Sequence, residues 1–214
     1  MLKIYGSVVS VPTNKVRFAA NKLGLDYEFI MVNLAEGEHM TERFLKLNPV
    51  GKVPVIDDGG FTLFESNAIS KYLSEKNRSS LYPQDLRLRA NIDKWIDFTS
   101  LHVATALTRV FFNRVLAPFV NVEVDERSIS DGLVFLERFL PVVDNQLKEN
   151  RFLAGEGLTL ADLNLLAALD PAEAAQVDLS PYPDLSRWRE GLRQEEFYTR
   201  CHSSFEEALQ SLGN

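Results

Sequence analysis

The sequence predicts a chain in two parts: an α/β unit of order β-α-β-α-β-β-α over residues 1–76 and an all-helical unit over residues 86–214, joined by a linker at 77–85. Two observations carry this. Strand-like and helix-like segments take turns up to about residue 76, whereas beyond about residue 85 the apolar patterns have helical period. Between them, Asn77 to Gln84 is a polar stretch holding Arg78, Ser79, Ser80 and Pro83, the composition of a connection. With 214 residues and 45% apolar content, the chain can bury a proper core.

The first part reads element by element. Leu2-Lys3-Ile4-Tyr5 is a short alternating strand ended by Gly6. After a polar loop, Pro12 opens a helix from its first turn, Val16, Ala19, Ala20 and Leu23 form its apolar stripe, and Gly24 stops it. Tyr27 to Val32 is a second strand, and the order strand, helix, strand implies a parallel pair with a right-handed crossover. A short helix is expected around Thr41 to Leu47. Val53 to Ile56 and Phe61 to Phe64 then flank Asp57-Asp58-Gly59-Gly60, the turn chemistry of an antiparallel hairpin. A last helix starts at Ser66, with Ala68, Ile69, Tyr72 and Leu73 turned inward. Mixed pairing in this order is the thioredoxin-like arrangement.

In the second part, Ile92, Trp95, Ile96, Thr99, Val103, Ala106, Leu107 and Val110 keep helical period until Pro118 ends or bends the helix. Ile129, Leu133, Leu136, Leu140, Val143 and Leu147 are spaced by threes and fours, the seam of a bundle helix, with Pro141 inside it as a kink. Thr159-Leu160-Ala161-Asp162 is a variant capping box, with Leu158 and Leu163 as its hydrophobic staple. The remaining helices are marked by Leu185, Trp188 and Leu192, and by Phe197, Cys201, Phe205 and Leu209.

Charge and composition exclude several functions. A formal net charge of −7 argues against nucleic acid or anionic lipid as partner. No apolar run approaches the roughly 20 residues needed to span a bilayer and no secretory signal stands at the N-terminus, so the protein is expected to be cytoplasmic. The single cysteine, Cys201, excludes an internal disulfide and a Cys-x-x-Cys centre, and the three histidines are scattered, so no metal site is expected.

Two motifs are specific. Leu47-Asn48-Pro49-Val50-Gly51-Lys52-Val53-Pro54-Val55, followed by Leu63-Phe64-Glu65-Ser66-Asn67-Ala68-Ile69, resembles the glutathione-site signature of cytosolic glutathione S-transferases. Phe152-Leu153-Ala154-Gly155-Glu156 with Leu158 to Asp162 is similar to that family's second signature. The resemblance covers essentially the whole chain. It implies glutathione as co-substrate, no other cofactor, and a two-fold homodimer in which Phe61 is a candidate anchor.

The chemistry of the first motif can be argued on its own. An extended tripeptide needs an edge to pair with, and a strand starting just before a proline leaves the backbone of Val53 free for it. The resemblance implies a cis Val53-Pro54 bond. A helix N-terminus at Ser66 offers N–H groups and a positive dipole end to a carboxylate, and Glu65 offers an anion to an amine. The γ-glutamyl end of glutathione carries both groups. Singly, Ser66 is an ordinary N-cap, Glu65 an ordinary first-turn acid and Pro54 an ordinary strand-opening proline; their joint spacing points to glutathione. Near the glycine carboxylate the phi-like pattern of His then Lys is broken by Met40, leaving His39 or Lys52 to supply the cation, unless these are a solvated loop histidine and a surface lysine.

The thiol activator belongs in the loop after the first strand. Ser10 stands four residues after Gly6, where the serine-type members resembling the phi and theta classes carry their catalytic hydroxyl. A free thiol ionises near pH ~8.5, and a hydroxyl donor with a helix N-terminus lowers that value. Ser10 could instead serve only as a helix cap. Ser7, Thr13 and Asn14 are rivals, the last two because members resembling the nu class use Thr or Asn nearby; Tyr5 is a minor alternative, more naturally core. By resemblance the electrophile pocket lies between the two parts, with Val8, Val9, Pro12, Thr105, Arg109 and Phe111 or Phe112 as candidates. The function implied is attack of the activated glutathione thiol on a small hydrophobic electrophile. The alternatives are glutathione-dependent disulfide or peroxide reduction and a non-catalytic binding or assembly module.

Overall fold

The computed structural model describes residues 1–202 and 204–210. Residues 203 and 211–214 of the expected helical part therefore lie outside the described residues. The first part has the expected order. Strand β1 (Leu2–Gly6) is followed by helix α1 (Val11–Lys22), β2 (Tyr27–Met31), a 3-10 turn at Glu38–Met40, α2 (Glu42–Leu45), β3 (Val55–Asp58), β4 (Phe61–Phe64) and α3 (Ser66–Lys76). The sheet order is β2-β1-β3-β4, with β1 parallel to β2 and antiparallel to β3, and β3 antiparallel to β4.

The period-2 alternation of the strands divides two cores. Leu2, Ile4 and Ile56 go to one face, where they pack with Val16 and Ala20 of α1 and Ile69 and Leu73 of α3. Val55 goes to the other face with Val32 and Phe44, flanked by Tyr5, Leu47, Val53 and Phe64. Tyr5 is thus a core-edge residue.

Two local expectations need correction. β3 begins at Val55 rather than Val53, because Pro54 has no N–H to give to the ladder, and it takes in Asp57 and Asp58. The turn is Gly59-Gly60 alone, at φ 65 and 97, the left-handed values that a two-residue hairpin turn demands at both positions. On α3, Ala68 is exposed. The buried face there is Ile69, Ser70, Leu73 and Ser74, and Ala68 falls one residue step, about 100°, away from it.

The second part is helical. α4 (Leu86–Phe98) leads through a π-helical turn at Thr99–Val103 into α5 (Ala104–Phe111), a second π-helical turn at Phe112–Leu116 and the short α6 (Ala117–Phe119). α7 (Glu126–Glu149) runs through Pro141 as one element, and Pro141 is exposed, where water can serve the carbonyl that loses its partner. α8 (Leu160–Leu169) is buried along its whole length and is the centre of the bundle. α9 (Pro183–Arg193), α10 (Glu196–Thr199) and α11 (Phe205–Gln210) complete the described chain.

The periodic set is therefore split, with Phe197 on α10, Cys201 in the turn after it, and Phe205 and Leu209 on α11. The Phe197 carbonyl accepts from Asn21 Nδ2 of α1 at 2.9 Å, and the Cys201 N–H turns to the Tyr198 carbonyl at 2.8 Å, which tightens the turn and ends the helix. No helix among the described residues is long and apolar enough to cross a membrane.

Candidate functional site

The register of the sheet assembles the site. Tyr5 pairs with Val55, and Val55 pairs with Phe64. Three chain segments therefore leave the sheet side by side along one row: the loop Gly6 to Ser10, the dipeptide Val53-Pro54, and Glu65-Ser66. With neighbouring strands roughly 4.8 Å apart, the row spans only about 10 Å.

Ser10 is the N-cap of α1, with extended backbone at φ −90 and ψ 109. Its Oγ accepts from the Thr13 N–H at 3.3 Å. A hydroxyl that accepts through its oxygen still has its proton to donate, so capping and activation are compatible. The rivals are otherwise placed. Ser7 is buried; Thr13 is buried against Gly6, where a Cβ would come within 2.2 Å of its Cγ2; Asn14 is buried, donating to the Val8 carbonyl at 2.7 Å and accepting from Arg17 at 3.3 Å. Of these four polar side chains only Ser10 is half-exposed.

The Val53-Pro54 bond is cis and Pro54 is buried. Val53 makes no backbone–backbone hydrogen bond among the described residues. The loop ahead of it is held by buried Asn48, whose Nδ2 donates to the Lys52 carbonyl at 2.7 Å and whose Oδ1 accepts from the Val50 N–H at 3.0 Å. Gly51, at φ 65, lies so close to the 3-10 turn that a Cβ would meet Met40 Sδ at 2.7 Å and the His39 carbonyl at 3.3 Å. The turn that carries His39 therefore lies against the loop that carries Lys52. Lys52 is exposed, and His39 Nδ1 is buried without a partner among the described residues.

Glu65 precedes α3 at φ 72 and ψ 106, a left-handed backbone that costs a non-glycine residue roughly 1–3 kcal/mol. Its side chain makes no cap and is exposed. Beside it, the Lys15 ammonium of α1 donates to Ser66 Oγ at 3.2 Å and to Asn67 Oδ1 at 2.8 Å. Asn67 Nδ2 passes on to Ser100 Oγ at 3.1 Å, which also receives Asn164 Nδ2 at 3.1 Å. Burial pulls Lys15 down to about 8, against the raising field of Glu65. Lys15, Ser100 and Asn164 lie outside the motifs, and Asn67 stands within the first one without an assigned role. The one signal for Lys15 is that it lies four residues before Ala19, on the edge of the apolar stripe of α1, where a charge is out of place.

The pocket candidates are less well gathered. Val8 is half-buried, and Pro12, Thr105, Arg109 and Phe112 are exposed. α1 packs on α3, α8 and α10 and α5 on α7 and α8, while Val9 of the loop packs against the core of the helical part, to which Ala106, Leu107 and Val110 of α5 belong. Thr105 donates to the Ser100 carbonyl at 3.1 Å, and Arg109 lies at the crossing with α7, its Cβ 3.3 Å from the Cβ position of Gly132. Phe111 is core, edge-on to Phe205 at 5.5 Å.

The second motif is a structural device. Asp162 is buried, accepting from the Thr159 N–H, the Thr159 hydroxyl and the Leu153 N–H, each at 2.9 Å. Among the described residues no group of three or more His, Cys, Asp or Glu is placed to hold a metal ion.

Comparison with known proteins shows the family. Residues 1–75 match the family model "Glutathione S-transferase, N-terminal domain" and residues 103–196 match "Glutathione S-transferase, C-terminal domain". The chain is 34% identical over 197 residues to glutathione S-transferase 1 of Zea mays, covering 90% of this chain and 92% of that protein. It is 33% identical over 196 residues to glutathione S-transferase theta-2 of Rattus norvegicus, covering 88% and 79%. The solved structure of maize glutathione S-transferase I in complex with an atrazine glutathione conjugate superposes with a TM-score of 0.86 at 32% identity, covering 94% of this chain and 95% of that one.

Proposed function

The chain belongs to the glutathione S-transferase family and is a glutathione transferase, and we propose that Ser10 is the hydroxyl that ionises the glutathione thiol for attack on a small hydrophobic electrophile. The observation that carries this reading is the row Tyr5–Val55–Phe64, which brings the Ser10 loop, the free Val53 backbone and the Glu65-Ser66 helix start to one end of the sheet. In this reading the tripeptide lies extended along Val53. The α3 N-terminus with Ser66 takes the α-carboxylate, Glu65 takes the ammonium, and Lys52 and His39 take the glycine carboxylate. The sulfur then falls over the start of α1, where the Ser10 O–H and the helix dipole favour thiolate over thiol. The electrophile sits between the two parts, beside Val8 and Pro12 and facing Thr105, Arg109 and Phe112, with 77–85 as the linker between them.

Ser10→Ala tests the assignment. Its turnover of a generic aromatic electrophile at neutral pH is expected to fall roughly tenfold or more, about 1.4 kcal/mol of lost thiolate stabilisation, with little change in glutathione affinity. The thiolate absorbance of the enzyme–glutathione complex should then need a higher pH to develop. Normal turnover in Ser10→Ala, with the loss appearing in Thr13→Ala or Asn14→Ala, would move the activator into α1 and favour disulfide reduction.

We further infer a homodimer acting in the cytoplasm, with Phe61, half-exposed on β4 and 5.2 Å from the Tyr72 ring, as an anchor. Light scattering is expected to return about twice the chain mass of 24.2 kDa, and a single-chain mass at micromolar concentration would sink the idea.

A further inference from the structure

We propose that Lys15 is a positioning residue for glutathione: its ammonium turns the start of α3 into a charged anion site, aims the Ser66 hydroxyl outward at the γ-glutamyl carboxylate, and makes binding depend on the proton that Lys15 carries. This rests on the reading of Glu65 and Ser66 as the γ-glutamyl subsite.

The first support is an inventory of hydrogen bonds. A serine hydroxyl has one proton and two lone pairs, and an ammonium only donates. With Lys15 Nζ 3.2 Å from Ser66 Oγ, one lone pair is filled and the Ser66 proton must point away from Lys15. Ser66 lies at the first turn of α3, so the free direction is toward the space in front of the helix. The second support is the neighbouring amide. Asn67 Oδ1 accepts from Lys15 at 2.8 Å while its Nδ2 donates to Ser100, so the ammonium fixes which way round this side chain stands. Lys15 is thereby joined to the second part of the chain through Ser100 and Asn164.

The third support is charge. The helix end supplies about half a positive charge, and a whole ammonium directly behind it, only 8% exposed and so weakly screened, adds substantially to its attraction for a carboxylate. The charged neighbours leave few counter-charges at this point. Glu65, just before α3, is the charge that acts on Lys15. The acids in and just after α8 are engaged elsewhere, Asp162 in the cap of that helix and Asp170 with Tyr198 and His202. Glu195, just before α10, pairs with Lys22, and Lys3 of β1 pairs with Glu28. A bound carboxylate would be a second anion beside Lys15, and linkage then requires that binding draw a proton onto it wherever the free enzyme is partly deprotonated. Since burial holds Lys15 near 8, that range lies just above neutral pH.

The test uses S-methylglutathione, which has no ionisable thiol, titrated calorimetrically into the full chain at pH 7 and pH 8.5 in two buffers of different ionisation enthalpy. The wild type is expected to bind several-fold more weakly at pH 8.5 and to take up more protons there than Lys15→Arg, whose guanidinium does not titrate. Lys15→Arg should keep its affinity within about threefold at pH 7, and Lys15→Met should lose tenfold or more and show no extra uptake. Proton uptake equal in wild type and Lys15→Arg, or wild-type affinity in Lys15→Met, would overturn the proposal. If Lys15→Met does not melt cooperatively, the proton count of wild type against Lys15→Arg decides alone. Glu65→Gln separates the two levels of inference. Weak binding there with normal binding in Lys15→Met refutes only the role of Lys15, whereas normal binding in both refutes the subsite itself.

Discussion

Replacing Asp162 by Ala is expected to lower the stability of the chain by roughly 3 kcal/mol, the largest effect of any single substitution considered for this protein. The carboxylate accepts three hydrogen bonds at 2.9 Å in a fully buried setting, two of them from the backbone N–H groups of Leu153 and Thr159. Alanine removes the acceptor and leaves both N–H groups buried and unpaired, each at about 1–3 kcal/mol. It also removes one half of the capping box of α8, the helix at the centre of the bundle. Urea denaturation at pH 7 measures the loss, and a change below about 1 kcal/mol would show that the 150–160 loop relaxes without cost. Burial pushes the Asp162 carboxyl up to about 6. Its sign is opposite to that of an exposed, salt-bridged acid. Between its ordinary value near ~4 and about 6 the folded chain holds this proton more tightly than the unfolded chain, so this group favours folding as pH falls through that window and disfavours it as pH rises through 6. In Asp162→Asn that contribution to the pH dependence should vanish.

Glu65→Gln is expected to weaken glutathione binding by roughly thirtyfold, about 2 kcal/mol, with Ser66→Ala losing less than tenfold. The glutamine keeps the length of the side chain and one acceptor oxygen but leaves the ligand ammonium without a counter-charge. Ser66→Ala removes one hydroxyl and leaves the N–H groups of the α3 start in place. The backbone at Glu65 already stands at φ 72, so Gln is a better probe than Ala or Gly, which would change the strain as well as the charge. Isothermal titration with glutathione at pH 7 gives the order, and equal or reversed losses would mean that the ammonium lies elsewhere.

What could be read before the fold was known depended on how local each signal is. The capping box at Thr159 and Asp162 is written within four residues, and its hydrogen bonds appear as the spacing implies. The Val53-Pro54 and Glu65-Ser66 pairs were visible because each is tied to the end of an element. The sheet register that puts them in one row is long-range, yet it follows once the strand order is known. Lys15 was hidden because its partners are 51 and 52 residues away, and its place at the edge of the α1 stripe says nothing of what it meets. The break between α10 and α11 was hidden for the same reason. It is made by Asn21, 176 residues earlier, taking the carbonyl that the helix would have used. Periodicity read the stretch from Ile92 to Pro118 as one helix, whereas π-helical turns at Thr99–Val103 and Phe112–Leu116 interrupt it, a local change of hydrogen-bonding that the apolar spacing does not mark.

Helix α1 has its back to two interiors. Val16 and Ala20 fill the space beneath the sheet, while Phe18 and Ala19 belong to the core of the helical bundle, where the Phe18 ring meets Phe197 and Tyr198 at 6.0 and 5.2 Å. The same twelve-residue element therefore carries the capping serine at its tip and the mortar between the two parts along its sides. A chain cut at residues 77–85 would leave Phe18 facing water and strip α1 of half its support, so the end of this helix that Ser10 caps is only as ordered as the bundle behind it. A single cooperative melting transition is therefore the expected result, and a lesion deep in either part is expected to loosen the end of α1 that Ser10 caps.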